Sequence, residues 1–399
     1  MQRPTLQNLH IIYFTRLHDS NLAGNKKSAS IHHSLSLISS RVSVVNSSRL
    51  FVPYRASSGN VLQSISLLFL CVDIIGSMLC AVGCIVKSLI KYKSGKFLFV
   101  FYNLMPDTSL PGISIILITS MIPFIHIRTL LEIEENIITD SVASLWRLYY
   151  KLIADIFSFD YLLSVTSFSA VGIKCLSLPM VFPGIYNFCE NNSLKELVPN
   201  RLSTIKYFLF ASRIDDQRGL FEFLEILDNF SPDQIHELNS SNVRFIVCGY
   251  GAPCNQALAR NKINKINSKF TFDYLIIDGI GCPKQVYDNY FLDSLCCISI
   301  VNNPDFAASS FPSKIFDALC HCKIILSFGN VDFSSFDTLS HILSCPSINS
   351  YNLFNFLKYI SSNYKELYHQ SNLYATICRD KFSSIALSGE LLNRLDQCI

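Results

Sequence analysis

The stretch KYFLFASRIDDQRGLFEFLEIL, Lys206–Leu227, decides how this chain folds. Lys206–Ala211 is almost continuously apolar and aromatic, as a parallel strand buried on both faces requires. A polar turn with two arginines follows. From Gly219 to Phe230 the apolar residues Leu220, Phe223, Leu224 and Leu227 fall at helical spacing. Buried strand, charged turn and amphipathic helix make one unit of a doubly wound α/β sheet. The unit recurs on the C-terminal side, where Arg244–Val247, Tyr274–Ile277, Cys297–Ile300 and Ile324–Ser327 read as strands with helices between them. On the N-terminal side, His10–Phe14, Val42–Val45, Phe97–Tyr102, Leu162–Val165 and Met180–Pro183 read as strands. A polar loop, Thr15–Asn25, precedes a helix running through Ser36, and residues 113–133 fit helix or strand equally well. Tyr186–Arg201 is the most polar stretch between the two strand-rich halves, so the expected fold is α/β with two Rossmann-like domains, each built on a parallel sheet.

Composition narrows the class. Of 399 residues, 50% are hydrophobic and only 16% charged, against about 25% charged in typical domains. A net charge of +3 and a mean hydropathy of +0.31 exclude disorder, coiled coil and binding that rests on many phosphate contacts. An integral membrane protein or an α/β enzyme working near a membrane remains. Val61–Ile90 is long enough to span a bilayer. Asp73 near its middle, and the lack of a second segment of matching length, oppose a span. The stretch reads as a helix buried between a sheet and a neighbouring helix; a helix lying in the membrane interface is the alternative, with Lys87, Lys91, Lys93 and Lys96 facing anionic lipid. His10–Phe14 is too short for a secretory signal, and the 15 cysteines, mostly inside apolar runs, read as reduced thiols. The expected location is therefore cytoplasmic, with peripheral contact at the inner face of the cytoplasmic membrane. Cys320-His321-Cys322 has the wrong spacing for a structural zinc, and no metal is expected.

Ligands of open α/β sheets bind beyond the carboxyl ends of the strands. Arg213 and Arg218 follow the Lys206–Ala211 strand beside a helix N-terminus, an arrangement suited to a diphosphate, although two solvated surface arginines would look the same. Gly249-Tyr250-Gly251 follows the next strand, either to admit a ligand close to the backbone or to make a tight turn. After Cys297–Ile300, a helix starts near Ser313. Its free N–H groups and Lys314 suit an anion, and Asp317, one turn on, is placed to accept hydrogen bonds from sugar hydroxyls.

Phe311-Pro312-Ser313-Lys314-Ile315-Phe316-Asp317-Ala318-Leu319, followed by Lys323–Ser327, resembles the donor-site motif of retaining GT-B glycosyltransferases of the family-4 type. There it reads Pro-Ser-Lys-φ-φ-Glu-Tyr-φ and then Gly-Lys-Pro-Val. Ser212-Arg213-Ile214 with Arg218-Gly219 is similar to the family's Gly-Arg-Leu…Lys-Gly loop, and Gly249-Tyr250-Gly251 matches its Gly-x-Gly. The three motifs stand in family order over residues 205–330. The N-terminal half is similar in plan only, through Gly24, Leu131–Glu135 and Pro183-Gly184.

The resemblance implies a GT-B fold whose two domains face a cleft: an acceptor domain, 1–190, a nucleotide-sugar domain, 191–375, and a C-terminal helix, 376–399, packing back on the first. It implies transfer of a sugar from a nucleotide donor with retained configuration, without metal or cofactor. Arg213 and Arg218 would neutralise the diphosphate, the Ser313 amide and Lys314 would assist, Gly249 and Tyr250 would border the donor, and Asp317 would hold the donor ribose. Glu135, with Glu134 and His126, would contact acceptor or donor sugar, and Gly24 would admit a phosphate or acceptor. His18 and the His32-His33 pair read as solvated or partly buried imidazoles. The chain departs from the pattern at Ser309, which stands where the family has the first Glu of Glu-x7-Glu, leaving Asp305 as the nearest carboxylate. It departs again at the shorter Asp317, and at His321-Cys322-Lys323, which lacks the usual glycine. The expected acceptor is a lipid-linked or growing surface saccharide. Two rival readings are a GT-B-shaped sugar-nucleotide epimerase and, because of Ser309, a degenerate GT-B domain that binds nucleotide without turnover.

Overall fold

Two six-stranded sheets, every strand pairing parallel, organise the computed structural model, one in each of two compact units. The structure describes residues 9–15, 23–46, 60–102, 106–133, 144–164, 173–177, 180–181, 205–215, 218–269, 274–301, 315, 318–319, 321–329, 331 and 342–396. Unit 1 comprises Met1–Asn187 with Phe382–Ile399; unit 2 is Phe188–Lys381.

In unit 1 the strands are β1 (Leu9–Thr15), β2 (Val42–Asn46), β3 (Lys96–Tyr102), β4 (His126–Ile133), β5 (Tyr161–Ser164) and β6 (Met180–Val181), in the order β2-β1-β3-β4-β5-β6. Its helices are α1 (Ala23–Ile38), α2 (Asn60–Tyr92), α3 (Pro106–Thr119), α4 (Ser144–Ile156) and, from the chain's end, α10 (Ser384–Asp396). All seven residues of β1 are buried because helices cover both faces of the sheet. Ile31 and Leu35 of α1 and Leu387 and Leu391 of α10 pack on Leu9, Ile11 and Tyr13. On the other face, Ala81 and Ile85 of α2, Ile115 of α3 and Tyr150 of α4 pack on Phe97, Phe99 and Phe101. The ambiguous stretch 113–133 divides into the end of α3, a turn and β4. Pro123, which has no N–H to donate, lies in that turn and stops the helix from continuing.

The structure corrects the reading of Val61–Ile90 as a helix buried between neighbours. Over Cys71–Tyr92 only 28% of the apolar stretch is buried, and the buried side is mostly of small or polar residues. Asp73, Ser77 and Ser88 face the unit with Ala81 and Ile85, while Val72, Ile75, Leu79, Val82, Val86 and Ile90 are exposed. Small side chains let the helix lie close on the sheet, which turns the bulky stripe outward.

Unit 2 holds β7 (Lys206–Ile214), β8 (Val243–Gly251), β9 (Ile276–Ile280), β10 (Ser294–Ile300), β11 (Ile324–Phe328) and β12 (Leu343–Cys345), in the order β12-β11-β10-β7-β8-β9. The helices are α5 (Leu220–Asp228), α6 (Pro232–Ser240), α7 (Pro253–Asn267), α8 (Lys284–Asp293) and α9 (Ser350–Phe382), the last bent at Asn363 (φ −113°, ψ 19°). Strand β9 starts at Ile276, two residues later than expected, where the Asn267 side-chain amide clamps the Ile276 backbone with bonds of 3.0 and 2.8 Å. Strand β12 was not expected; it has three residues and is followed at once by Pro346. Helix α9 ends at Phe382, and Ser383, whose hydroxyl accepts the Ala386 N–H at 3.1 Å, starts α10 afresh. No disulfide forms among the described cysteines.

Candidate functional site

Strand β7 runs three residues and β8 four residues further than their apolar cores predict. Ser212, Arg213 and Ile214 end β7 and pair with Gly249, Tyr250 and Gly251 at the end of β8. Two segments expected as neighbouring loops are thus adjacent rungs of one ladder. The extension has a steric condition. A Cβ on Gly249 would stand 2.1 Å from the Ser212 carbonyl oxygen, and one on Gly251 would stand 2.4 Å from that of Ile214. The ladder by itself therefore requires the two glycines: on the side where a side chain would project, the space is taken by β7. Tyr250 between them is 60% exposed, and its hydroxyl donates to the Cys282 carbonyl beyond β9.

Asp215, at the turn after β7, organises the arginine pair. Its Oδ1 accepts the Arg218 backbone N–H at 3.1 Å, and its Oδ2 lies 3.3 Å from Nε of Arg213. The Arg213 side chain is 57% exposed, so its guanidinium stands at the carboxyl edge of the sheet with room for a further anion. Gly219 follows at φ 68°, a left-handed conformation that glycine adopts without strain, and opens α5 with no side-chain cap on its first amides. The edge therefore offers the exposed guanidinium of Arg213, the Arg218 main chain held beside it and the N-terminal end of α5, a combination suited to oxyanions such as a diphosphate. The role of Asp215 was missed from the sequence. Its signal was the acid between two arginines, but only the turn shows which groups it joins.

Lys323, the lysine that follows the donor-motif helix, is buried. Its ammonium donates to the Leu292 carbonyl at 2.6 Å and the Ser294 carbonyl at 2.7 Å, and burial pushes its pKa below the usual lysine value. It fastens the amino end of β10, the edge opposite the arginines. Before it, the Cys322 N–H bonds Leu319 O at 2.9 Å and the Lys323 N–H bonds Ala318 O at 2.9 Å, closing a Schellman turn. Cys322 holds the left-handed position of that turn at φ 55°. The missing glycine is thus replaced by a residue under backbone strain.

In unit 1, Gly24 lies in the first turn of α1 and not in a loop before it, because the helix already starts at Ala23. His126 is the first residue of β4, paired with Lys96, and lines a cavity of about 480 Å³ with Lys96 and Arg128 at the amino edge of the sheet. That edge lies away from the carboxyl ends where α/β sheets bind ligands, so the strand's direction removes His126 from the acceptor candidates. One buried polar pair was not foreseen: the Tyr13 hydroxyl donates to Oε2 of Glu132 at 3.2 Å, near the carboxyl end of β4. Partial burial pushes the His32 pKa down, as expected for a partly buried imidazole. Glu134, Glu135, Asp305, Ser309, Ser313, Lys314, Asp317 and His18 lie outside the described residues. Among the described residues, no three His, Cys, Asp or Glu side chains converge to hold a metal.

No family model and no curated protein matches this sequence. Solved structures do match in fold. Anabaena HepE in complex with UDP superposes with a TM-score of 0.63 at 10% identity, over 98% of this chain and 100% of that one. A trehalose-6-phosphate synthase analysed for glycosyl transfer with retention gives 0.57 at 10% identity, over 98% and 100% of the two chains. S. aureus TarM, in complex with Fondaparinux, α-GlcNAc-glycerol and UDP, gives 0.50 at 12% identity; this chain is covered over 78% and spans 58% of that one. The chain has the α/β GT-B fold.

Proposed function

We propose that this chain is a glycosyltransferase that transfers a sugar from a nucleotide donor to a lipid-linked or growing saccharide acceptor, with retention, on the cytoplasmic side of a membrane. The observation that carries the reading is the arginine pair organised by Asp215 at the carboxyl end of β7, where a donor diphosphate would sit. The family-4 resemblance supports retention, as does the fold shared with a synthase studied for it. The UDP bound in two of the similar structures favours a uridine nucleotide as the first donor to test. In this mechanism Arg213 and Arg218 balance the charge that develops on the diphosphate as the glycosidic bond breaks. Lys314 and the Ser313 amide share that charge, and Asp317 holds the donor ribose. Ser309 carries no charge, so the carboxylate that the family places near the donor sugar comes from elsewhere in this chain, Asp305 being the nearest.

The test is release of nucleoside diphosphate from a panel of nucleotide sugars, with and without lipid-linked and saccharide acceptors. Release that depends on an acceptor, and its loss in Arg213→Ala and Lys314→Ala, support the reading. Conversion of the sugar nucleotide without an acceptor would show an epimerase instead, and binding without turnover would show a degenerate domain.

A further inference from the structure

We propose that the outer face of α2 and α3 in unit 1 is a docking surface for an anionic lipid bilayer. A helix lying on a sheet in water turns its apolar stripe inward. Over Cys71–Tyr92, α2 keeps its bulkiest stripe outside: it buries Asp73, Ser77, Ala81, Ile85 and Ser88 and exposes Val72, Ile75, Leu79, Val82, Val86 and Ile90. Their spacing by three and four residues sets the six exposed side chains on one stripe, in which Leu79 is 69% and Ile90 76% exposed. The stripe continues sideways. Helix α3 packs beside α2, and the turn that follows it adds Met121, 88% exposed, and Phe124. Together with α4, this layer carries more than half of the exposed large apolar side chains among the described residues, whereas the α1–α10 layer on the opposite face carries only Ile385.

Charge identifies the occupant. Lys87 and Lys91 are exposed on the last turns of α2, and Lys93 and Lys96 are exposed just beyond. The only acid in the described part of the helix, Asp73, is buried. An apolar stripe with cations at one end and, among the described residues of α2, no exposed acid matches the boundary between acyl chains and anionic headgroups. A true span does not fit the same helix, because α2 packs on β1 and β2 and a span would carry Asp73 into hydrocarbon. The surface belongs to unit 1 alone and needs neither donor nor acceptor, so its test is separate from that of the glycosyltransferase reading.

The full chain is floated with vesicles of phosphatidylcholine, and with vesicles one third phosphatidylglycerol, at low and high salt. Flotation with the anionic vesicles is expected, weaker with phosphatidylcholine and falling with salt. The variant Leu79→Gln/Val82→Gln/Val86→Gln changes only exposed positions and should melt as the wild type does. It should lose about tenfold or more of the bound fraction, as should Lys87→Glu/Lys91→Glu. The proposal is overturned if the wild type stays unbound with both vesicle types, or if the triple variant floats as well as the wild type. It is also overturned if the wild type is a dimer that the triple variant dissolves, which would assign the face to a second copy.

Discussion

Gly249→Ala tests the ladder that carries the arginine pair. The new Cβ would lie 2.1 Å from the Ser212 carbonyl oxygen and 3.0 Å from Cγ1 of Ile214. An ordinary C···O contact is about 3.4 Å, so β7 and β8 must separate by about 1 Å at this rung. The obstacle is main chain and cannot rotate away. Overpacking in a well-filled interior costs about 1–3 kcal/mol, and a backbone clash belongs at the top of that range. For a unit of this size, about 3 kcal/mol lowers Tm by about 6–12 °C. The same shift moves Arg213, the residue next to Ser212, so nucleotide affinity should fall together with stability. Scanning calorimetry of the full chain, compared with Gly83→Ala, is the assay. Nothing lies within 4 Å of a Cβ on Gly83, which sits inside α2, so that variant should gain up to about 1 kcal/mol from helix propensity. A melting temperature for Gly249→Ala close to the wild-type value, or an equal loss in Gly83→Ala, would refute the reasoning.

Arg213→Ala should weaken nucleoside diphosphate binding by about tenfold to a hundredfold, since a charge-assisted hydrogen bond contributes about 1.5–3 kcal/mol; unchanged affinity by titration calorimetry would dismiss the site. Cys322→Gly should raise stability by up to about 1 kcal/mol, because relief of a left-handed non-glycine residue outweighs glycine's entropy and the lost 3.2 Å contact from Sγ to Asn372; a clear fall in urea midpoint contradicts this. Hydrogen bonds from Lys269 and then Lys265 hold the Asp228 pKa below the ordinary carboxylate value. A depressed carboxylate stabilises fully above about pH 4, and its contribution fades as pH falls through the lowered folded pKa. The stability gap between wild type and Asp228→Asn should therefore narrow in acid, and urea unfolding at neutral and acid pH would detect a widening that refutes it.

The fold was legible because each buried parallel strand is an apolar run and each covering helix a stripe, as in Phe97–Tyr102 and Leu220–Leu227. The position of Arg213 and Arg218 at the carboxyl end of β7 was legible because they follow such a run. Three features were not, each for a physical reason. Periodicity finds a stripe on α2 but not the direction it faces, and the small residues Ser77, Ala81 and Ser88 decided that direction through close packing. Asp215 bonds a backbone amide and a guanidinium, a choice made by the turn and invisible in composition. Tyr13 and Glu132 are 119 residues apart, so only the strand order brings them together. Cys322 was legible by contrast, since a turn that normally takes glycine kept its left-handed backbone after losing the residue suited to it.

The return of α10 to unit 1 has a consequence for synthesis. Leu387, Leu391 and Leu395 cover Leu9, Ile11, Ile31 and Leu35, yet they are made after the whole of unit 2. As the chain leaves the ribosome, that face of the first sheet waits with α1 and without α10 while nearly two hundred further residues are translated. The nascent chain therefore keeps part of that apolar face uncovered for about half of its synthesis. A truncation after Lys381, which spares all of unit 2, would leave unit 1 permanently in that unfinished state.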